Sequence, residues 1–411
     1  MVVRLSPSNR ARFGAAHAAR SLGWAAVDML LAWHLHVRVG LTGTQTGWLS
    51  CLFLLTGGVA TALAGHALSR WQASGASVVR IQWPATCLTA ILLWAQFAVH
   101  GAAAAIVAGL AFRLTYAVQD VAQNMLAAML PRDDTDARGY ARLRVTLSAL
   151  TRCAIVAGFA AATVTGDGMS PLLALVGALM IASAVALRGV TFPSRATPRP
   201  ARPHDRAIPA ALAMLLLRWA MVGTLLPAIT RLLIFTRPHD GGWASGAVLL
   251  GGYCLGTTLG PALRGALPRS FVVAIVVASG ALLILPLGVA PGVRIVAAML
   301  HGVGVSIINV RLWSATSRLA MDEARGGYRR EGVIFGTVIL TLHLSTAVSM
   351  AMLGPLIDRL EAGQYQAALV SLLLTTIGTL AIAAGRSWTT APPAGPRRNA
   401  TSAVLYGPAA R

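Results

Sequence analysis

The chain has 411 residues, 56% of them hydrophobic, and its 34 basic residues, all arginine, face only 13 acids, for a formal net charge of +21. A mean hydropathy of +0.68 leaves no soluble domain to carry a basic face, which excludes a nucleic-acid-binding protein. No Walker loop, HExxH, CxxC or GxSxG pattern occurs, so neither direct ATP drive nor an enzyme is expected.

Apolar segments of about 20 residues match a bilayer core about 30 Å thick. Twelve are predicted, at 14–36, 45–67, 77–99, 102–130, 140–164, 169–190, 209–235, 243–263, 271–289, 292–318, 331–356 and 364–386. The first is too long for a cleaved signal peptide and reads as an uncleaved span. Asp28 stands halfway along it, one turn beyond Trp24. An ionisable group at mid-membrane costs about 2.5–3.5 kcal/mol on insertion scales unless it is paired or hydrated. Asp28 is therefore a candidate proton carrier, with a structural ion pair to an arginine or direct substrate contact as the other readings.

The second acid inside an apolar run is Asp120, on the fourth span. There Arg113, Tyr116, Asp120, Gln123 and Asn124 recur at spacings of three and four and share one helix face. A polar stripe in a membrane helix faces protein or water. It lines a central cavity or, for Gln123 and Asn124, supplies hydrogen bonds between helices. Arg152 on the fifth span, Arg231 on the seventh and Arg311 on the tenth are further deep arginines. Arg20, Arg144 and Arg218 stand near span ends, where long side chains snorkel. Two acids do not neutralise four deep guanidinium groups, and Arg suits bidentate carboxylate or phosphate contacts. The expected substrate is thus an anion or a zwitterion with exposed carboxylates.

His301 on the tenth span and His343 on the eleventh are proton-carrier candidates or satisfied packing residues. Most of the ten tryptophans fall near span ends, but Trp24 and Trp313 are deep enough to stack on a substrate. Cys51, Cys87, Cys153 and Cys254 lie inside spans without CxxC spacing and read as apolar fillers, so no metal or cofactor is expected.

Arginines crowd every second gap: Arg4, Arg10 and Arg12 precede the first span, Arg70 follows the second, and Arg132, Arg138 and Arg142 follow the fourth. The intervening gaps hold only Arg38, Arg237, Arg294 and Arg359. Basic loops stay in the cytoplasm, which places both termini there in a bacterial inner membrane. The Pro/Arg stretch 191–208 is an extended linker between a six-helix bundle over 1–190 and another over 209–386. The tail 387–411 is expected to be disordered. The gap with Asp133, Asp136, Gly139 and Tyr140 is echoed 188 residues later by Asp322, Glu323, Gly327 and Tyr328. Parallel six-span repeats are one transporter construction.

Twelve spans in a 6+6 division with cytoplasmic tails resemble the major facilitator superfamily. Gly65 and Arg70 match the family's loop after the second span, with Ser69 where the family has Asp. Arg113 matches the family's fourth-span arginine, whereas the fifth-span Gly-Pro of many antiporters is absent from 140–164. The resemblance implies an all-α polytopic membrane protein of two six-helix bundles, with Gly65 and Arg70 in a gating loop. The expected function is proton-coupled secondary transport of a small organic anion, siderophore-like or another carboxylate metabolite. Efflux is the favoured direction, with uptake or multidrug efflux as alternatives and a non-transporting membrane sensor as the rival class. Asp28, Asp120 and His301 are the coupling candidates; Arg113, Tyr116, Gln123, Asn124, Arg152, Arg311 and Trp24 are the binding candidates. The expected partners are substrate, protons and lipid, and a monomer suffices.

Overall fold

The computed structural model describes residues 7–71, 74–131, 133–165, 169–192, 211–220, 222–223, 243–261, 290–325 and 330–364, with isolated positions between 274 and 280. Its regular structure is helical, without a strand among the described residues. The helices are α1 (Pro7–Trp33, continued by a π turn over His34–Arg38), α2 (Gly43–Arg70), α3 (Gly75–Ala98), α4 (Ala102–Met129), α5 (Asp134–Thr165), α6 (Ser170–Leu187), α7 (Ala211–Ala220), α8 (Trp243–Leu259), α9 (Pro291–Arg325) and α10 (Glu331–Glu361). Helices α1 to α8 follow the first eight predicted spans, and α9 and α10 are the tenth and eleventh. The ninth and twelfth spans, the linker from 193, the tail and Arg231 lie outside the described residues, isolated positions of the ninth span apart.

Among the described residues, seven helices, α2 to α6, α9 and α10, are long and apolar enough to cross a membrane. Helix α1 is equally long but carries His17, Arg20 and Asp28, all of which face the protein interior. Two starts differ from expectation. Helix α1 begins at Pro7 and α5 at Asp134, well before their apolar runs. At 1.5 Å per residue, Arg20 and Arg144 lie roughly 20 and 15 Å along their helices. They do not snorkel: both are buried, with 6% and 5% of their surface exposed.

Two seams join the halves of the chain, one between α2 and α10 and one between α5 and α8. Along α2, Leu52, Leu55, Val59 and Leu63 are exposed at helical spacing, a face suited to lipid. The opposite face is built of small residues. A Cβ on Gly47 would come within 2.8 Å of the Gly354 Cα, and one on Gly65 would collide with the Gly332 carbonyl oxygen. Glycine is required here because the two backbones touch. Both ends of this antiparallel seam are capped across it. Asp358 of α10 accepts hydrogen bonds from Gly43 N–H (2.7 Å), Thr44 N–H (3.0 Å) and the Thr44 hydroxyl (2.5 Å) at the start of α2. At the other end, Ser69 Oγ of α2 accepts from Val333 N–H at 3.1 Å, at the start of α10.

Such caps supply acceptors for the otherwise unsatisfied N–H groups at a helix start, and losing one costs about 0.5–2 kcal/mol. Asp358→Ala is therefore expected to lower the unfolding temperature of the purified protein measurably, and Asp358→Asn by less. Equal unfolding temperatures for wild type and Asp358→Ala would show that the cap contributes nothing.

Candidate functional site

Helices α1, α4 and α5 face α8, α9 and α10 around a cavity of about 190 Å³, which Trp219 of α7 also lines. Helix α1 runs away from the Arg-rich face of the bundle and α4 runs towards it, so the lining forms layers.

Nearest the Arg-rich face is an ionic layer. Asp120 forms a buried ion pair with Arg20. Arg20 Nη2 donates to His17 Nδ1 at 3.2 Å. That leaves the proton of a neutral His17 on Nε2, which lies 3.1 Å from the Arg144 carbonyl and 3.0 Å from Ser148 Oγ. The Arg144 guanidinium reaches across to the second half and lies on the Trp313 ring, 3.8 Å from its centroid. Its Nη1 is buried without a hydrogen-bond partner among the described residues, and so are both amide atoms of Asn124 and Ser306 Oγ.

An aromatic layer follows. Trp24 stacks between Tyr116 and His343, with ring centroids at 5.2 and 5.4 Å, and Trp219 packs on Trp313 at 4.7 Å. Further from the Arg-rich face are Asp28 and Arg152, which are electrostatically coupled. Among the described residues that line the cavity, the guanidinium groups of Arg20, Arg144 and Arg152 outnumber the carboxylates of Asp28 and Asp120 by one.

Of the residues singled out from the sequence, Trp24, Asp28, Tyr116, Asp120, Asn124 and Arg152 line this cavity, as do His343 and Trp313. Others do not. Gln123 turns towards α3, where it accepts a 2.7 Å hydrogen bond from Gln82. Arg113 lies behind the cavity wall, 5.0 Å from the Trp24 ring and packed against the bare backbone of Gly57. Arg311 is half-buried outside the lining. His301 donates through Nδ1 to the Ala278 carbonyl at 2.7 Å beside Tyr253, within the packing of the second half. Gly65 belongs to the α2–α10 seam, and Arg70 is exposed at the end of α2. The echoed loops pair differently. Asp136 binds Arg10 of α1 at 2.5 Å, whereas Glu323 meets Arg330 within its own gap at 3.7 Å.

His17, Arg20 and Arg144 were the residues missed as cavity-lining. The signal was present, because His17, Arg20, Ser21, Trp24 and Asp28 recur at spacings of three and four, as the polar stripe of α4 does.

By sequence, no family model and no curated relative matches the chain. By structure it is similar to the human organic anion transporter MFSD10 (TETRAN), with a TM-score of 0.64 at 12% identity over 91% of this chain and 100% of that one. It is also similar to a variant of the E. coli fucose:proton symporter FucP (TM-score 0.62, 12% identity, 91% of this chain and 97% of that one). The nucleoside transporter NupG gives a TM-score of 0.58 at 12% identity, over 93% and 99% of the two chains. The chain has the fold of the major facilitator superfamily.

Proposed function

We propose that the protein is a secondary transporter that carries a small organic anion through the central cavity together with a proton. The observation that carries this reading is the surplus of one positive charge among the described residues that line the cavity, together with a buried Arg144 nitrogen that has no hydrogen-bond partner among them. A guanidinium in that state is an anion receptor. One structural neighbour is an organic anion transporter and another a proton symporter, which agrees with this chemistry.

Asp120 is the proton carrier in this reading. An anion that shares Arg20 with Asp120 weakens the ion pair, and a buried carboxylate deprived of its guanidinium partner takes up a proton. Asp28 keeps Arg152 compensated. Proton and anion carry opposite charges, so each favours the other: at about 6 Å and an effective dielectric constant of about 20, the coupling is roughly 3 kcal/mol, or about a hundredfold. Mutual reinforcement is the condition for symport, whereas exchange needs the two to exclude each other. The cavity's electrostatics therefore favour uptake over the efflux direction expected from the resemblance. The cavity itself argues against a non-transporting sensor.

Proteoliposomes challenged with a panel of radiolabelled organic acids test the class. An acidic exterior is expected to drive uptake of at least one acid, and no gradient-dependent flux with any of them would refute the reading.

A further inference from the structure

We infer that the outer groove between α3 and α6, at the Arg-rich face of the bundle, binds the headgroup of an anionic phospholipid. The groove lies apart from the cavity, and its role does not depend on the transport reading. On α3, Arg80, Pro84, Leu88, Ile91 and Trp94 recur at spacings of three and four, and all are exposed. On α6, Leu175, Ala178, Ala182, Val185 and Arg188 repeat the pattern. The two helices pack side by side, with Gly177 of α6 against Ala90 of α3. Each exposed stripe is apolar along its length, as a lipid-facing surface is, and ends in one arginine at the Arg-rich face.

The two arginines meet at an indole. The Arg188 guanidinium lies over the Trp83 ring, 4.8 Å from its centroid, and Arg80 is one helical turn before Trp83. A basic residue at a helix C-terminus ordinarily serves the last carbonyls of its own helix. Here Arg12 of α1 supplies a donor at that end, to the Gly189 carbonyl just past α6. Arg188 is thereby left to face the bilayer. Neither helix contains an acid, and among the described residues neither Arg80 nor Arg188 is in an ion pair. A phosphodiester supplies the missing negative charge, and Arg is suited to it. The stripes supply the rest of the match. One leaflet, half of a core about 30 Å thick, covers about ten residues of helix. Both stripes are longer than that. A free phosphate would use the arginines and none of the apolar surface below them.

The test is quenching of tryptophan emission by phospholipid brominated near the top of one acyl chain, with the full-length protein in phosphatidylcholine bilayers. Trp83 emission is the difference between each protein and the same protein carrying Trp83→Phe. At equal mole fraction, brominated phosphatidylglycerol is expected to occupy the site about fivefold more than brominated phosphatidylcholine. Arg80→Gln combined with Arg188→Gln should abolish that preference. Arg142→Gln combined with Arg318→Gln removes the same charge from exposed positions elsewhere and should leave it intact. Folding of each variant is checked by circular dichroism. Equal quenching of wild-type Trp83 by the two lipids would overturn the inference. An equal loss of preference in both double variants would also overturn it, because a general attraction of anionic lipid to a basic surface would then suffice. So would loss of the preference on adding glycerol phosphate, since the site would then take a free phosphate.

Discussion

Asp120→Asn is expected to abolish pH-gradient-driven accumulation in proteoliposomes while anion exchange across the membrane continues. The buried guanidinium of Arg20 is paired with Asp120. Removing one partner of a buried ion pair leaves an uncompensated charge, at a cost of about 3–5 kcal/mol. The single variant should therefore also unfold at a lower temperature. Arg20→Gln introduced beside Asp120→Asn removes the stranded charge, so the double variant should regain thermal stability and keep anion exchange, at lower affinity because Arg20 also meets the anion, without regaining accumulation. That split separates a proton carrier from a purely structural pair. A structural role predicts that stability and accumulation return together, and unimpaired accumulation in Asp120→Asn alone would remove Asp120 from the coupling role.

The second large effect concerns the α5–α8 seam. Cys153 of α5 and Cys254 of α8 are free thiols that influence each other electrostatically across this seam, and Cys153 Sγ lies 3.7 Å from Thr258 Oγ1. Two neighbouring thiols become a disulfide when an oxidant such as diamide removes two electrons and two protons. In the proposed transport cycle the helices on either side of this seam part as the cavity changes the side it opens to, and a covalent link there forbids that. Treatment with diamide should arrest transport in the cross-linked fraction and dithiothreitol should restore it, whereas Cys254→Ala should be insensitive. Full transport by protein shown to be cross-linked would mean that α5 and α8 do not part during the cycle.

Much of this was legible in the sequence, for physical reasons that differ from residue to residue. The spans follow from the length of apolar runs, and the wall of α4 from the spacing of Arg113, Tyr116, Asp120 and Asn124. Gln123 shares that stripe by number but sits at its edge, and the neighbour that decides its direction, Gln82 of α3, is 41 residues away. Arg20 and Arg144 fall near the ends of the apolar runs 14–36 and 140–164, where snorkelling is the expectation from sequence. Helices extend beyond the hydrocarbon, so charges near such an end lie well inside the fold. Neither the pairing of Arg20 with Asp120 nor the contact of Arg144 with Trp313 has a local signal, since each joins helices far apart in the chain. His301 shows the converse. A histidine in a span is a proton candidate by chemistry alone, and only packing reveals that its Nδ1 is committed to the Ala278 carbonyl. Ser69 departs from the family's Asp, yet its hydroxyl still caps the start of α10.

Coupling of one proton to one anion is tested most directly with a transported acid from the panel, chosen strong enough not to cross lipid in neutral form. Wild-type proteoliposomes carrying a trapped pH indicator, with equal pH on both sides, receive that acid outside. The lumen is expected to acidify as the anion enters, and vesicles carrying Asp120→Asn should not respond. Luminal alkalinisation, or acidification of equal size in both preparations, would contradict proton-coupled uptake through Asp120.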